Sequence, residues 1–307
     1  MSEDFLKFNH EVSIKEIIIS LWEKKLLIIF VTTLFAIASI FISLQIPNKY
    51  TSSAIISINN DQSNKAMSSV MSQLDGLSGI AGISMGGAER KDNLILEKFK
   101  SRDFLEHILT FEGIKEKLMA SESYDAISKT IIYDEELFNS KNNEWVRDIP
   151  KFRNLIPSHI EIYESKKFQD DLQISYNKKN NFITISFNHF SPVFAHEFIS
   201  LLINEMDSLT RNKELKESED AILYLSDMLA KTNEKEIKVL IGRLIESKLK
   251  SQMLANVNES FIINIIDPAF VPEMKSQPRR SIIVIMSTII GFIISSMYAL
   301  VFRKKIF

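Results

Sequence analysis

Two stretches of the chain, 26–46 and 281–302, carry no charged residue. At about 1.5 Å rise per residue either would reach roughly 30 Å as a helix, the thickness of a bilayer's hydrocarbon core. Neither shows a polar face beyond Ser, Thr and Gln45, which sets them apart from amphipathic helices of a soluble core. The first is too long and begins too late for a cleaved signal peptide. The pattern predicts two membrane helices framing one large domain: 1–25 and 303–307 outside the spans, 47–280 between them. Lys24 and Lys25 precede the first span and Arg303, Lys304 and Lys305 follow the second. The positive-inside rule then places both ends in the cytoplasm and 47–280 in the periplasm; Arg279 and Arg280 argue the other way, but two spans put both ends on one side and Lys24 and Lys25 face only Lys49 across the first.

Between the spans the periodicity changes several times. Residues 50–58 (Y-T-S-S-A-I-I-S-I) read as a strand, and 260–266 (S-F-I-I-N-I-I) as a last strand that can join it in a sheet beside the membrane. Residues 172–176 and 182–187 alternate around a turn-rich pentapeptide, 177–181, which predicts a β-hairpin. Apolar residues at helical spacing between 93 and 109, interrupted at 101–103, predict two short helices. Residues 112–155 show only weak helical signals and fit no pattern.

Pro192 opens a run of helix formers that reaches almost to Pro268. As one helix it would extend on the order of 100 Å. A break at Thr232 and Asn233 would instead fold it into a hairpin. Its apolar seams, Ile222, Leu225 and Leu229 and then Ile237, Leu240, Ile241 and Leu244, are narrow, so they require each other or neighbouring subunits. Before the first span, Ile14, Ile17, Ile18, Leu21 and Trp22 form an amphipathic stripe with a Ser13/Glu16 capping box. The fold class is α+β: a membrane-proximal sheet, and a long helix or helical hairpin.

Composition narrows the function. A net charge of -2 argues against nucleic acid as a partner, and the absence of cysteine excludes disulfides and thiolate metal sites. Five scattered histidines suggest no metal, Asp134, Glu135 and Glu136 are too close together to flank a sugar ring, and no phosphate-loop motif occurs. No cofactor and no enzymatic activity are expected. Small residues recur in both spans, at Thr32, Ala36, Ser39 and Ser43 and at Ser287, Gly291, Ser295 and Ala299, a pattern that lets helices approach closely in lipid. The glycine-rich stretch 76–87 lacks the basic residue of a phosphate cradle and reads as a loop.

Four segments carry a resemblance: S-I-K-E-I-I-I-S-L-W-E-K-K (13–25), N-K-Y-T-S-S-A (48–54), I-T-I-S-F-N-H-F-S-P-V-F-A (183–195) and I-I-D-P-A-F-V-P-E-M-K-S-Q-P-R-R (265–280). In this order they resemble the Wzz-type chain length determinants, or polysaccharide co-polymerases. L-S-G-I-A-G-I (77–83) is similar to a loop of that family.

The resemblance implies a homo-oligomeric ring on the bacterial inner membrane. It also implies regulation of the modal length of a surface polysaccharide, foremost the O-antigen of lipopolysaccharide, with a Wzy polymerase and lipid-linked glycan as partners and without catalysis. Asp267, Pro268, Pro272 and Pro278 are the family motif before the second span, and Gly76, Gly79 and Gly82 a candidate partner loop. Related capsule proteins carry a kinase after the second span, where this chain ends at Phe307. An export adaptor working with a separate cytoplasmic kinase is the alternative.

Overall fold

The computed structural model describes residues 21–58, 87–149, 151–258 and 260–301. The chain forms two compact units, one holding both apolar helices and the other spanning Lys49–Lys275. The amphipathic stretch before the first span lies outside the described residues except for Leu21 and Trp22, as do Gly76, Gly79 and Gly82 and the basic residues after 302.

In the first unit, α1 (Lys25–Gln45) and the last helix of the chain, Arg280–Val301, pack on each other. Both pass the length and hydropathy criteria for a membrane span.

The second unit is organised by a four-stranded antiparallel sheet. Its strands are β1 (Tyr50–Ile58), β6 (Leu172–Asn177), β7 (Phe182–His189) and β8 (Ile263–Asp267), in the order β6-β7-β1-β8. Alternation decides which face is covered: Ser52, Ala54, Ile56 and Ile58 of β1 are buried, as are Ile183, Ile185 and Phe187 of β7. Against that face lies α7 (Pro192–Lys231), which starts where Ser191 Oγ accepts from Phe194 N and Pro192 fills the first turn.

Phe194, Ala195, Phe198, Ile199, Leu202, Ile203 and Met206 are the buried stripe of α7, at helical spacing. The core is completed by α2 (Gly87–Phe99), α3 (Arg102–Ile108) and α5 (His159–Glu164), through Ile95, Phe99, Phe104, Leu105, Ile108 and Ile162. Ser101 caps α3, accepting from Phe104 N, at the interruption the sequence predicts.

Beyond Asp207 the burial of α7 stops, apart from Ser218. The helix ends at Lys231 and the chain returns as α8 (Lys235–Val257), packed along it. The two narrow seams are thus part of a hairpin, with Ile241 and Ala255 buried and Ile222, Leu225, Leu229, Leu240 and Leu244 half-buried, whereas Ile237 is exposed.

Residues 112–155 depart from their weak helical signal. Among the described residues there only α4 (Ile114–Met119) is helical, and two small hairpins follow it, β2 (Ser121–Asp125) with β3 (Thr130–Tyr133) and β4 (Phe138–Asn139) with β5 (Glu144–Trp145). They are held by a separate cluster of Ala120, Phe138 and Trp145. A short helix, α6 (Lys166–Asp171), leads into β6. The last strand also begins later than the sequence suggests, at Ile263, because the N–H groups of Phe261, Ile262 and Ile263 are taken by a carboxylate of α7.

Candidate functional site: the apolar helix pair and the polar anchors of the large unit

We number Arg280–Val301 α9. It runs antiparallel to α1: Arg280 Nη2 donates to Asn48 Oδ1 (3.1 Å) at one end, and Lys24 Nζ lies 6.0 Å from the Tyr298 ring at the other. Ser39, Ser43, Gly291, Ser295 and Ala299 are buried, while Thr32, Ala36 and Ser287 are half-buried. The closest approach is at Gly291, where an added Cβ would stand 2.8 Å from Phe35 Cβ. Ser287 Oγ donates to Phe35 O across the pair (3.3 Å). Thr32, Ser39 and Ser295 return their hydroxyls to carbonyls of their own helix, and Ser43 Oγ has no partner.

Of the motif before α9, Asp267 closes β8 opposite Ile55 and is exposed; Pro268 is exposed, Pro272 buried and Pro278 half-buried behind a cis peptide bond. Ser52 Oγ donates to Phe270 O (2.7 Å), tying this segment to β1.

Three polar anchors in the large unit escape a reading of the sequence. The Asp207 carboxylate accepts from the N–H groups of Phe261, Ile262 and Ile263 at 2.8–3.1 Å and from Arg211, whose other amine donates to the carbonyls of Ala255 and Asn258. Burial alone would raise the Asp207 pKa, but the three backbone donors and Arg211 outweigh it and hold the group below the ordinary carboxylate value.

Arg147 and Glu161 form a buried two-pronged pair, 2.5 and 2.9 Å, and Arg147 also donates to the carbonyls of Asn154 and Leu155. The hydrogen bonds from Arg147 depress the Glu161 pKa.

The third anchor joins Lys49 to Asp171 (2.5 Å), with Lys49 and Lys167 both against the Phe190 ring. Burial lowers the Lys167 pKa and raises that of Asp171. His189, whose Nδ1 accepts from Ser191 N and whose Nε2 donates to Lys117 O, is pushed down to about 4 by burial, so it is neutral at ordinary pH.

A cleft of about 510 Å³ lies beside β6, lined by Phe99, Phe104, Tyr163, Leu172, Ile174 and Leu202 among others. Among the described residues no three His, Asp or Glu side chains converge as a metal site would require.

These features describe a protein with two apolar helices, a mixed helix-and-sheet unit between them and a long helical hairpin. Residues 10–110 match the Wzz family, chain length determinant protein, and 239–304 match the GNVR family, the G-rich domain on putative tyrosine kinase. Residues 10–110 therefore resemble a Wzz chain length determinant domain. That match and the two apolar helices point to an inner-membrane protein with a large soluble unit. No curated protein matches it.

Among solved structures it is similar to a full-length bacterial polysaccharide co-polymerase, at 12% identity and a TM-score of 0.38, covering 94% of this chain and 96% of that one. It is also similar to a fragment of WzzB, a polysaccharide co-polymerase from Salmonella Typhimurium, at 13% identity and a TM-score of 0.33, covering 75% of this chain and 100% of that one.

Proposed function

We propose that this chain sets the modal length of a surface polysaccharide, the O-antigen of lipopolysaccharide, as a non-enzymatic oligomeric partner of a Wzy-type polymerase working on lipid-linked glycan. The observation that carries the reading is the Wzz match over 10–110, which includes the first apolar helix and β1. In this reading 26–46 and 281–302 are the spans, 1–25 and 303–307 are cytoplasmic, and 47–280 is periplasmic and oligomerises as a ring. The small-residue faces of α1 and α9 keep the spans paired, 265–280 guides the chain into the second span, and Gly76, Gly79 and Gly82 belong to a loop that meets a partner.

Deleting the gene and displaying the surface glycans on a gel tests the function. Loss of the modal band, restored by the wild-type gene, is expected; an unchanged ladder rejects it. Gly291→Leu tests the helix faces, since the added side chain meets Phe35: altered assembly in detergent and a shifted glycan length are expected, and wild-type behaviour in both would remove the stripe from the mechanism.

The GNVR match over 239–304 favours a second reading, an adaptor for capsule or exopolysaccharide export that works with a separate kinase. That reading predicts loss of capsule, with the O-antigen ladder intact, in the same deletion strain.

A further inference from the structure

Past Arg211, α7 and α8 leave large apolar side chains in solvent among their charges. Leu223 and Tyr224 of α7 are both 65% exposed, and Val239 and Met253 of α8 are 51% and 66% exposed. Leu223 belongs to a stripe at spacings of three and four, Lys216, Glu219, Leu223 and Asp227, all exposed. Lys235, Val239, Arg243 and Glu246 make a matching exposed stripe on α8. The positions sheltered along the hairpin, Ser218 and Leu225 on α7 and Ile241 and Ala255 on α8, fall on the opposite sides of the two helices. The stripes are therefore the two backs of the hairpin.

The two helices differ in charge. Residues 212–231 of α7 hold five acidic and three basic side chains, and α8 holds five basic and two acidic, so the back of one helix suits the back of the other. Their levels match as well. Lys248 Nζ of α8 stands 3.6 Å from Glu214 Oε1 of α7, which sets the turns of the two helices that lie side by side. Counting from that pair towards the tip, Lys216 is level with Glu246, Glu219 with Arg243, Leu223 with Val239 and Asp227 with Lys235. Each charge of one stripe thus has the opposite sign at its height on the other, and the apolar residue has an apolar one. Asp227 is shared with Lys231 of its own helix, at 2.6 Å. Within one chain the stripes point away from each other, so the match between them goes unused.

We propose that the back of α8 of one copy docks on the back of α7 of the next, in a head-to-tail contact repeated around the oligomer. A rotation about an axis along the hairpins carries each copy to its neighbour without changing height, so levels matched within one chain are also matched between copies. Closure of the ring then leaves no back uncovered. The proposal names the surface for the oligomeric reading above and rests on that reading.

The chain has no cysteine, so introduced thiols react alone. Leu223→Cys, Val239→Cys and the double variant are made in the full chain, and membranes holding them are treated with a short bismaleimide. The double variant is expected to give a ladder of covalent oligomers, and each single variant to stay at monomer size. Linked dimers from either single variant would mean a two-fold contact and overturn the proposal. A double variant that stays at monomer size while glutaraldehyde still yields oligomers would overturn it too, and would leave the ring standing. A wild-type chain that glutaraldehyde cannot link would overturn both. Charge is tested on the double variant: adding Lys216→Glu is expected to cut linkage at least about threefold, and adding Glu246→Lys to that to restore it. Undiminished linkage with Lys216→Glu would overturn the charge matching.

Discussion

The sheet with α7 and the segment from Ala120 to Glu161 lie in one unit but are stabilised in different ways. Under the sheet, Phe187, Phe194 and Phe198 meet one another at 4.5–6.1 Å and are essentially inaccessible to solvent. The smaller segment buries Ala120, Phe138 and Trp145, and leans on turns and on Arg147 with Glu161. The contrast shows how one chain holds a rigid body by apolar packing and then builds on it a piece whose own apolar side chains remain available for contact.

Phe198→Ala strikes the first region. Loss of a buried phenyl group is expected to cost about 4 kcal/mol, read as a lowered midpoint of chemical unfolding in detergent for the whole unit. Glu161→Gln strikes the second: Arg147 is left buried without its counter-charge, at about 3 kcal/mol. Faster hydrogen exchange confined to 145–162 is the expected signature, and equal loosening beneath the sheet would erase the distinction. The pH dependence follows. The folded Glu161 pKa lies below its unfolded value, so the pair's stabilisation is complete above the unfolded pKa and is lost as pH falls through the folded one; the loop should open in acid before the sheet.

Asp207→Ala removes the acceptor for three N–H groups and should cost about 2 kcal/mol, exposing 258–263 to exchange. Gly113→Ala, at φ 75°, should cost about 1 kcal/mol by backbone strain alone. His189 gives the finest test. Burial keeps it neutral, so its ring signals should titrate near pH 4 rather than 6.5. Because the unfolded chain takes up that proton first, this histidine withdraws stability as pH falls from about 6.5 to 4.

The sequence is most informative where a period is sustained. β1, the β6–β7 hairpin, the break at Thr232 and the interruption at Ser101 stand where alternation, helical spacing and capping residues put them. It fails at 112–155, where strands of two to five residues are too short to establish a period and the turns rest on left-handed Lys129 and Asn143. Asp207 and Arg211 look like an ordinary i,i+4 surface pair, although their partners lie 44 to 56 residues away. Arg147 and Glu161 are separated by 14 residues in a stretch without pattern. The small residues of α1 and α9 are visible as a spacing, yet the close approach of Gly291 to Phe35 depends on side-chain placement that spacing alone does not give.

One property of the sheet reaches beyond its stability. β1 follows α1 in the chain and β8 leads towards α9, and the two strands are antiparallel neighbours with Ile55 opposite Asp267 and Ile58 opposite Ile263. The end of β8 nearer α9 therefore lies towards the end of β1 nearer α1. A single-residue step of β8 along β1 would turn all its side chains to the opposite face and bring Ile263 out of the core, so the ladder resists small displacements within the large unit.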